Sequence, residues 1–242
     1  MKILRLDLNA NSWRIEDMAA QGPVTLGVRV HNETRTWNLD PLDPSVPFVI
    51  GMGPFVGGKM PGFHRLIAVF KSPMTKTLHV AALGGAAYKF MGSGIDAMVI
   101  TGKSKEPVVI FVSSDGIELR NIEPVFEYGN YHGAYAFTKY LLDTYRDFFV
   151  KYNARAVIVG PAALSTYNGA LVSIDVNPIR GEFRPGAEDF AARGGPGTVL
   201  AMGHNVVGIV AGGTYKARYA KVNDMDFINK LMIDSFKKPF RQ

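Results

Sequence analysis

Val49-Ile50-Gly51-Met52-Gly53-Pro54 returns in near copy, 107 residues on, as Val157-Ile158-Val159-Gly160-Pro161. A Gly-Gly pair follows each copy: Gly84-Gly85-Ala86-Ala87 comes 31 residues after Gly53, and Gly194-Gly195-Pro196-Gly197 comes 34 after Gly160. Beyond each pair runs an apolar strand that ends in Gly, Ile95 to Gly102 and Asn205 to Gly212. Each half therefore reads as strand, Gly-Pro turn, strand, Gly-Gly, helix, strand. Two such copies predict one α+β domain, built from two related β-sheet-plus-helix halves about a pseudo-two-fold axis.

Short apolar runs bounded by Gly and Pro supply the other strands: Phe48-Val49-Ile50, Leu66 to Phe70, Ala97 to Thr101, Val108 to Val112, Ala156 to Gly160 and Val206 to Val210. Asp115-Gly116 closes a hairpin into Ile117-Glu118-Leu119. At the N-terminus Ile3, Arg5 and Asp7 alternate with Leu4, Leu6 and Leu8, the pattern of a half-buried strand. Tyr135 to Val150 carries apolar residues at spacings of three and four and reads as one helix. After Gly212-Gly213 the chain turns basic and polar, with a weakly amphipathic helix from Asp226 to Phe236. The division is a domain over residues 1–213 and a basic tail or linker over 214–242.

The 242 residues are 47% hydrophobic and 20% charged, which excludes a disordered tail, a collagen-like repeat and a coiled coil. No apolar run reaches the ~18 residues of a membrane span. Met1-Lys2-Ile3 runs straight into Arg5, Asp7 and Arg14 without a secretory signal, so a cytoplasmic location is expected and no membrane partner. The chain has no cysteine, so no disulfide, thiolate nucleophile, Cys-built zinc site or Cys-ligated iron–sulfur cluster belongs to it. Most of the net charge of +6 comes from Thr214 to Gln242, where seven Lys/Arg face three Asp. A nucleic-acid binder carries its basic excess on a folded face. Here it sits in a terminal segment without an accompanying motif, and no nucleic-acid partner is expected.

Gly-Gly ahead of a helix lets an anion approach the backbone N–H groups, and the helix dipole favours negative charge there. Two such turns could hold two phosphates. Arg193 directly precedes the second, and His64-Arg65 stands at the strand entry before the first. Arginine suits bidentate phosphate contact. The same glycines also fit a role confined to tight turns and close helix–sheet packing, and the residues alone leave both readings open. Neither turn is a P-loop or a dinucleotide-binding turn, and Gly92-Ser93-Gly94 reads as a helix C-cap. The five histidines show no metal-ligand spacing, and His31-Asn32-Glu33 reads as a loop or cap cluster. Glu188-Asp189 is either a general acid/base pair or, by the preferred reading, a complement to a helix start. No catalytic constellation emerges, and no metal ligand is assigned to this chain.

Several segments, in order, resemble one family: His31 to Trp37 with Asp40-Pro41-Leu42-Asp43-Pro44, Gly53-Pro54-Phe55, Gly62-Phe63-His64-Arg65-Leu66 with Lys71-Ser72-Pro73, Gly84 to Tyr88, Val159 to Leu164, Ala191 to Gly197, and His204 to Ile209. Together they are similar to the N-terminal domain of the tungsten-containing aldehyde ferredoxin oxidoreductases, with the glyceraldehyde-3-phosphate:ferredoxin oxidoreductase branch nearest. The resemblance implies a base of two related sheets carrying a tungsten (or molybdenum) bis-pyranopterin on one face. By position it implies that Arg65 and the backbone of Gly84 and Gly85 contact one pterin, and that Ala192, Arg193, Gly194 and Gly195 line the other. The aldehyde-oxidising branch has Asn where Ala82 stands and Arg where Asp189 stands; the glyceraldehyde-phosphate branch is similar to this chain at both.

Family members continue into helical domains that carry the cluster cysteines. A chain without Cys cannot bind the [4Fe–4S] cluster, so the resemblance implies a Cys-bearing C-terminal part or separate subunit, and ferredoxin as partner of the complete enzyme. Catalytic residues are not assigned here. The alternative is a stand-alone module that binds a pterin or other phosphorylated ligand without redox turnover.

Overall fold

A computed structural model describes residues 1–59, 62–216 and 224–236, and in it each of the apolar runs named above forms a strand. The first half is β1 (Lys2–Asp7), β2 (Ser12–Asp17), α1 (Pro23–Glu33), β3 (Phe48–Met52), β4 (Leu66–Lys71), β5 (Leu78–Leu83), α2 (Ala86–Phe90) and β6 (Ala97–Thr101). The second half opens with β7 (Val108–Val112) and β8 (Ile117–Asn121), followed by a small hairpin of β9 (Glu127–Tyr128) and β10 (Tyr131–His132). Then come α3 (Gly133–Thr144), α4 (Arg146–Tyr152), β11 (Arg155–Val159), β12 (Leu171–Asn177) and β13 (Glu182–Ala191). The half closes with α5 (Pro196–Thr198), a π-helical turn Val199–Gly203, and β14 (Val206–Ala211).

The two six-stranded sheets have one topology. The first is ordered β2-β1-β6-β3-β4-β5, and the second, read from the matching end, β8-β7-β14-β11-β12-β13. In each, the last strand of the half inserts between the first and the third. It runs parallel to the first strand and antiparallel to the third. The repeated unit is thus longer than the sequence comparison suggested, because each copy begins with an N-terminal hairpin that has no Gly-Gly or Gly-Pro signature.

Burial explains the covering helices. Helix α1 buries Leu26 and Val30 against Ile3, Val49, Val69 and Val99 on one face of the first sheet. Gly27 permits this approach, since a Cβ there would lie 2.5 Å from Val69 Cγ1. The opposite face, with Leu4, Leu6, Ile50 and Phe70, joins a larger core shared with the second sheet and with Phe137, Leu141 and Phe149 of α3 and α4. Strand β1 is therefore buried on both faces at Ile3 and Leu4, not half-buried as its alternation predicts.

Two further expectations change. The single helix over Tyr135 to Val150 is two helices, broken at Tyr145 (φ −116°, ψ 33°). His31-Asn32-Glu33 is the last turn of α1. Gly94, at φ +78°, caps the 3-10 turn after α2, as its sequence context predicts. The C-terminal helix is α6 (Met225–Phe236). The tail residues Arg218, Lys221, Lys237, Lys238 and Arg241 lie outside the described residues. Among the described residues no helix is long and apolar enough to cross a membrane.

Candidate functional site

The edge strands β5 and β13 bring the two halves together. Gly84-Gly85 directly follows β5, and Gly194-Gly195 lies just past β13. Each turn leans on the other half. A side chain on Gly84 would collide with Asp189 Oδ1 of β13, and one on Gly194 would stand 2.6 Å from His79 Cδ2 of β5. Ser72 Oγ, at the turn between β4 and β5, donates to Gly194 O at 2.8 Å. The two turns thus mark opposite ends of β5, about 16 Å apart at the usual strand rise.

At the first turn Gly85 has φ +39° and caps α2. Arg65 Nη1 and Asp189 Oδ1 both approach the place where a Gly84 Cβ would stand, the former to 3.3 Å. Behind them lies Arg155, 5% exposed and at the start of β11. Its Nε donates to Ser173 Oγ at 2.8 Å. Its Nη2 donates to Ser173 O and Ala187 O at 3.1 Å and to Asp189 Oδ2 at 2.6 Å. A buried cation needs such partners, because its desolvation is costly unless every donor is used. Burial also pushes the Lys89 amine down, an effect that Asp175 opposes, while Arg184 and Arg155 add to it.

Glu188 and Asp189 do not precede a helix. They are neighbours on β13, and strand alternation sends them to opposite faces. Asp189 turns to Arg155; Glu188 Oε1 accepts from Tyr135 Oη at 2.7 Å and pushes the phenol pKa up. An acid/base pair built on these two carboxylates is excluded by that divergence.

At the second turn Gly194 and Gly195 have φ +79° and +76°. A Gly195 side chain would collide with Tyr167 O. Pro196 has no N–H, and Gly197 N donates to Gly169 O at 2.9 Å. Thr198 Oγ1 accepts from Gly169 N at 2.8 Å and donates to Thr166 O at 2.7 Å, so the loop before β13's partner strand fixes the helix start. With helices of five and three residues behind them, neither turn gains much from a dipole. The first offers exposed backbone at Gly85 with Arg65 near Gly84; at the second Gly195 is buried, Gly194 is half-buried and Arg193 is its neighbour in sequence. Arg65, Ala192 and Arg193 are exposed, and neither arginine joins an ion pair among the described residues.

Two histidines are structural. His31 Nδ1 lies 3.0 Å from Thr36 Oγ1 and His204 Nδ1 2.8 Å from Gly102 O. Burial pushes both down to about 4. Among the described residues no group of three or more His, Asp or Glu is placed to hold a metal ion. Arg155 escaped sequence reasoning because its partner is 34 residues away; an arginine opening an otherwise apolar strand was the available signal.

Comparison with known proteins follows the same outline. The family model for the aldehyde ferredoxin oxidoreductase N-terminal domain matches residues 3–213. The chain is 42% identical over 196 residues to the glyceraldehyde-3-phosphate:ferredoxin oxidoreductase of Pyrococcus furiosus, covering 77% of this chain and 30% of that protein. It is 36% identical over 134 residues to the tungsten-containing aldehyde ferredoxin oxidoreductase of the same organism, covering 52% and 22%. The chain therefore spans less than a third of the length of these relatives. Among solved structures, the active-site complex BamBC of benzoyl coenzyme A reductase shares the fold, with a TM-score of 0.72 at 19% identity over 89% of this chain and 31% of that one.

Proposed function

The chain belongs to the aldehyde ferredoxin oxidoreductase family by its N-terminal domain, and from that premise we propose that it is the cofactor base of a tungsten (or molybdenum) pterin aldehyde:ferredoxin oxidoreductase. The observation that carries the proposal is that an exposed arginine, in no ion pair among the described residues, accompanies each glycine turn: Arg65 Nη1 beside Gly84, and Arg193, next to Ala192, directly before Gly194-Gly195 in sequence. An exposed guanidinium at each turn fits the anionic ends of a bis-pyranopterin. The family's cofactor, when bound, supplies the two-electron oxidation of an aldehyde and water to a carboxylic acid. This chain's residues hold and orient its organic part.

The remaining functions fall to protein outside this sequence. With no cysteine here, the [4Fe–4S] cluster belongs to a Cys-bearing C-terminal part or subunit, through which electrons reach ferredoxin in the cytoplasm. Residues 1–213 form the base, and 214–242 lead toward that partner. The 42% identity to the glyceraldehyde-3-phosphate enzyme supports glyceraldehyde 3-phosphate as the aldehyde. The test is pterin and tungsten content of the assembled protein carrying Arg65→Ala and Arg193→Ala together. Retained pterin should fall at least tenfold, about 1.4 kcal/mol of binding. Unchanged retention would overturn the site.

A further inference from the structure

We propose that the edge strand β2 is a pairing surface for a second copy of this chain, joining two first sheets antiparallel across a two-fold axis at Ile15. The proposal stands apart from the cofactor-base reading, because β2 closes the first sheet at the end opposite β5, where the glycine turns lie.

The ladder to β1 fixes which backbone groups are free. The Met1 amine donates to Met18 O at 2.8 Å and Met18 N to Met1 O at 2.9 Å, so these residues form a hydrogen-bonded pair. Such pairs alternate along an antiparallel ladder, and the register runs unbroken from Lys2–Asp17 to Asp7–Ser12. Ser12, Arg14 and Glu16 therefore turn their N–H and C=O groups to β1. Trp13, Ile15 and Asp17 turn theirs outward, and among the described residues these groups meet no other backbone partner. The strand holds no Pro, Gly or Lys and no bulge to blunt this edge. Trp13 and Ile15 lie opposite Leu6 and Leu4, on the face turned to the larger core, yet they are 47% and 42% exposed. The apolar face runs out to the edge unfinished.

Charge selects the partner and the register. Arg14 and Glu16 share the other face, where Arg14 Nε reaches Glu16 Oε2 only at 3.4 Å and its side chain is 71% exposed. Pairing centred on Ile15 sets that residue against Ile15 of the second copy, and Trp13 against Asp17 on either side, through about six N–H···O=C bonds. The intervening pairs put Arg14 opposite Glu16 of the second copy, and the reverse, with Cβ atoms about 4.5–5.5 Å apart. A shift by two residues would face Arg14 with Arg14 in one direction and Glu16 with Glu16 in the other, and like charges directly opposite disfavour both. Trp13 of each copy lies diagonal to Ile15 of the other, which continues the apolar strip across the junction. The outer strand of the second half, β8, has its charges engaged within the chain: Arg120 lies 4.8 Å over Phe111 and 4.9 Å over Tyr145, and donates to Glu118 Oε2 at 2.9 Å. One strand pair buries less than the ~1,000 Å² of a firm complex, so the dimer forms reversibly, with a Kd on the order of 10–100 µM.

The experiment is sedimentation equilibrium of the full 242-residue chain over a dilution series, with hydrogen exchange measured at both ends of the series. The mass should rise with concentration from 26.5 kDa toward twice that value. Exchange at the Trp13, Ile15 and Asp17 amides should slow at least threefold in the dimer, while Arg14 and Glu16, already bonded to β1, change little. Arg14→Glu should weaken the dimer at least tenfold, and so should Glu16→Arg; mixing the two variants restores both ion pairs and should restore dimerisation. Ile15→Pro removes the outward N–H at the centre without touching a bond to β1, and should leave a monomer. Three results would overturn the proposal: a chain still monomeric at about 1 mM, assemblies that grow past the dimer, which head-to-tail pairing of β2 with β8 would produce, or a dimer left intact by Arg14→Glu and Ile15→Pro. The first two need no variant, so they stand even if a substituted chain folds poorly.

Discussion

Arg155 Nη2 lies 2.6 Å from Asp189 Oδ2, and this ion pair ties the interior strand β11 across β12 to the edge strand β13, where the first half's glycine turn rests on the second half. Its two members differ in what they lose on substitution. Arg155 is 5% exposed and serves three further acceptors on Ser173 and Ala187, whereas Asp189 keeps some contact with water.

Arg155→Met should therefore be the costlier change. It leaves a carboxylate and two carbonyls without their donor, and a destabilisation of roughly 3 kcal/mol is expected, at the low end for a broken buried pair because Asp189 is partly solvated. Asp189→Asn preserves an oxygen toward Arg155 and should cost about 1 kcal/mol. Urea unfolding of both variants checks the order; equal losses would mean that the pair, and not the wider Arg155 network, sets the stability.

The glycines divide in the same manner. Gly195 has φ +76° and faces the Tyr167 carbonyl, so Gly195→Ala meets both an unfavourable backbone and a fixed neighbour. The backbone conformation alone should cost roughly 1–3 kcal/mol. Gly116, in the β7–β8 hairpin, has nothing within 4 Å of a built Cβ, and Gly116→Ala should stay within about 0.5 kcal/mol of the parent. Thermal unfolding of the two alanine variants separates a required glycine from a tolerated one.

Much of the fold was legible from apolar runs, because a strand buried on both faces announces itself by composition. Strands β3, β4, β6, β7, β11 and β14 are of that kind. Of the edge strands only β8 was legible, through its Asp115-Gly116 hairpin. β13 carries Pro185 and Gly186 and exposes most of one side, and β2 is exposed along nearly its whole length. Helix α1 was hidden for another reason: Val24, Thr25, Gly27, Val28 and Val30 are poor helix formers. Packing of Leu26 and Val30 onto the sheet overrides that propensity. The glycine turns were visible as residues, but their contacts were not. Gly84 meets Asp189 and Gly194 meets His79 only because the two sheets adjoin at β5 and β13, which no local spacing reveals.

Acid should weaken the fold through the buried histidines. His204 is fully buried, its pKa pushed down from 6.5 to about 4 by burial, and its Nε2 has no hydrogen-bond partner among the described residues. His31 is lowered to about 4 for the same first reason, with Lys71 adding to it. Between these values and 6.5 the unfolded chain binds protons that the folded chain refuses. Their contribution is complete above pH 6.5 and is lost as pH falls toward 4, at up to ~1.4 kcal/mol per pH unit for each histidine. His204→Asn removes one of the two, and the stability difference between pH 7 and pH 5 should shrink by about 2 kcal/mol relative to the parent. Denaturant midpoints at the two pH values decide it; an unchanged difference would show that His204 titrates alike in both states.

The last prediction concerns how one half holds the other's turn. Ser72 Oγ donates to Gly194 O at 2.8 Å, and accepts from Met74 N at 3.2 Å and Thr75 N at 3.3 Å. Ser72 is buried, so Ser72→Ala leaves these groups without a partner or a ready water. A loss of roughly 1–2 kcal/mol in global stability is expected. The effect should also be uneven. Gly194 and Gly195 take left-handed backbones that glycine adopts without strain but not exclusively, so neighbouring contacts select the conformation, and the serine hydroxyl is one of those contacts. Hydrogen exchange at the Gly195, Gly197 and Val199 amides should therefore accelerate more in Ser72→Ala than exchange at β3 or β6. A uniform acceleration would mean that the second turn is held by the loop from Thr166 to Gly169 alone. Local acceleration would show that each glycine turn is shaped by the opposite half, which makes the paired sheets a condition for the site and not only its platform.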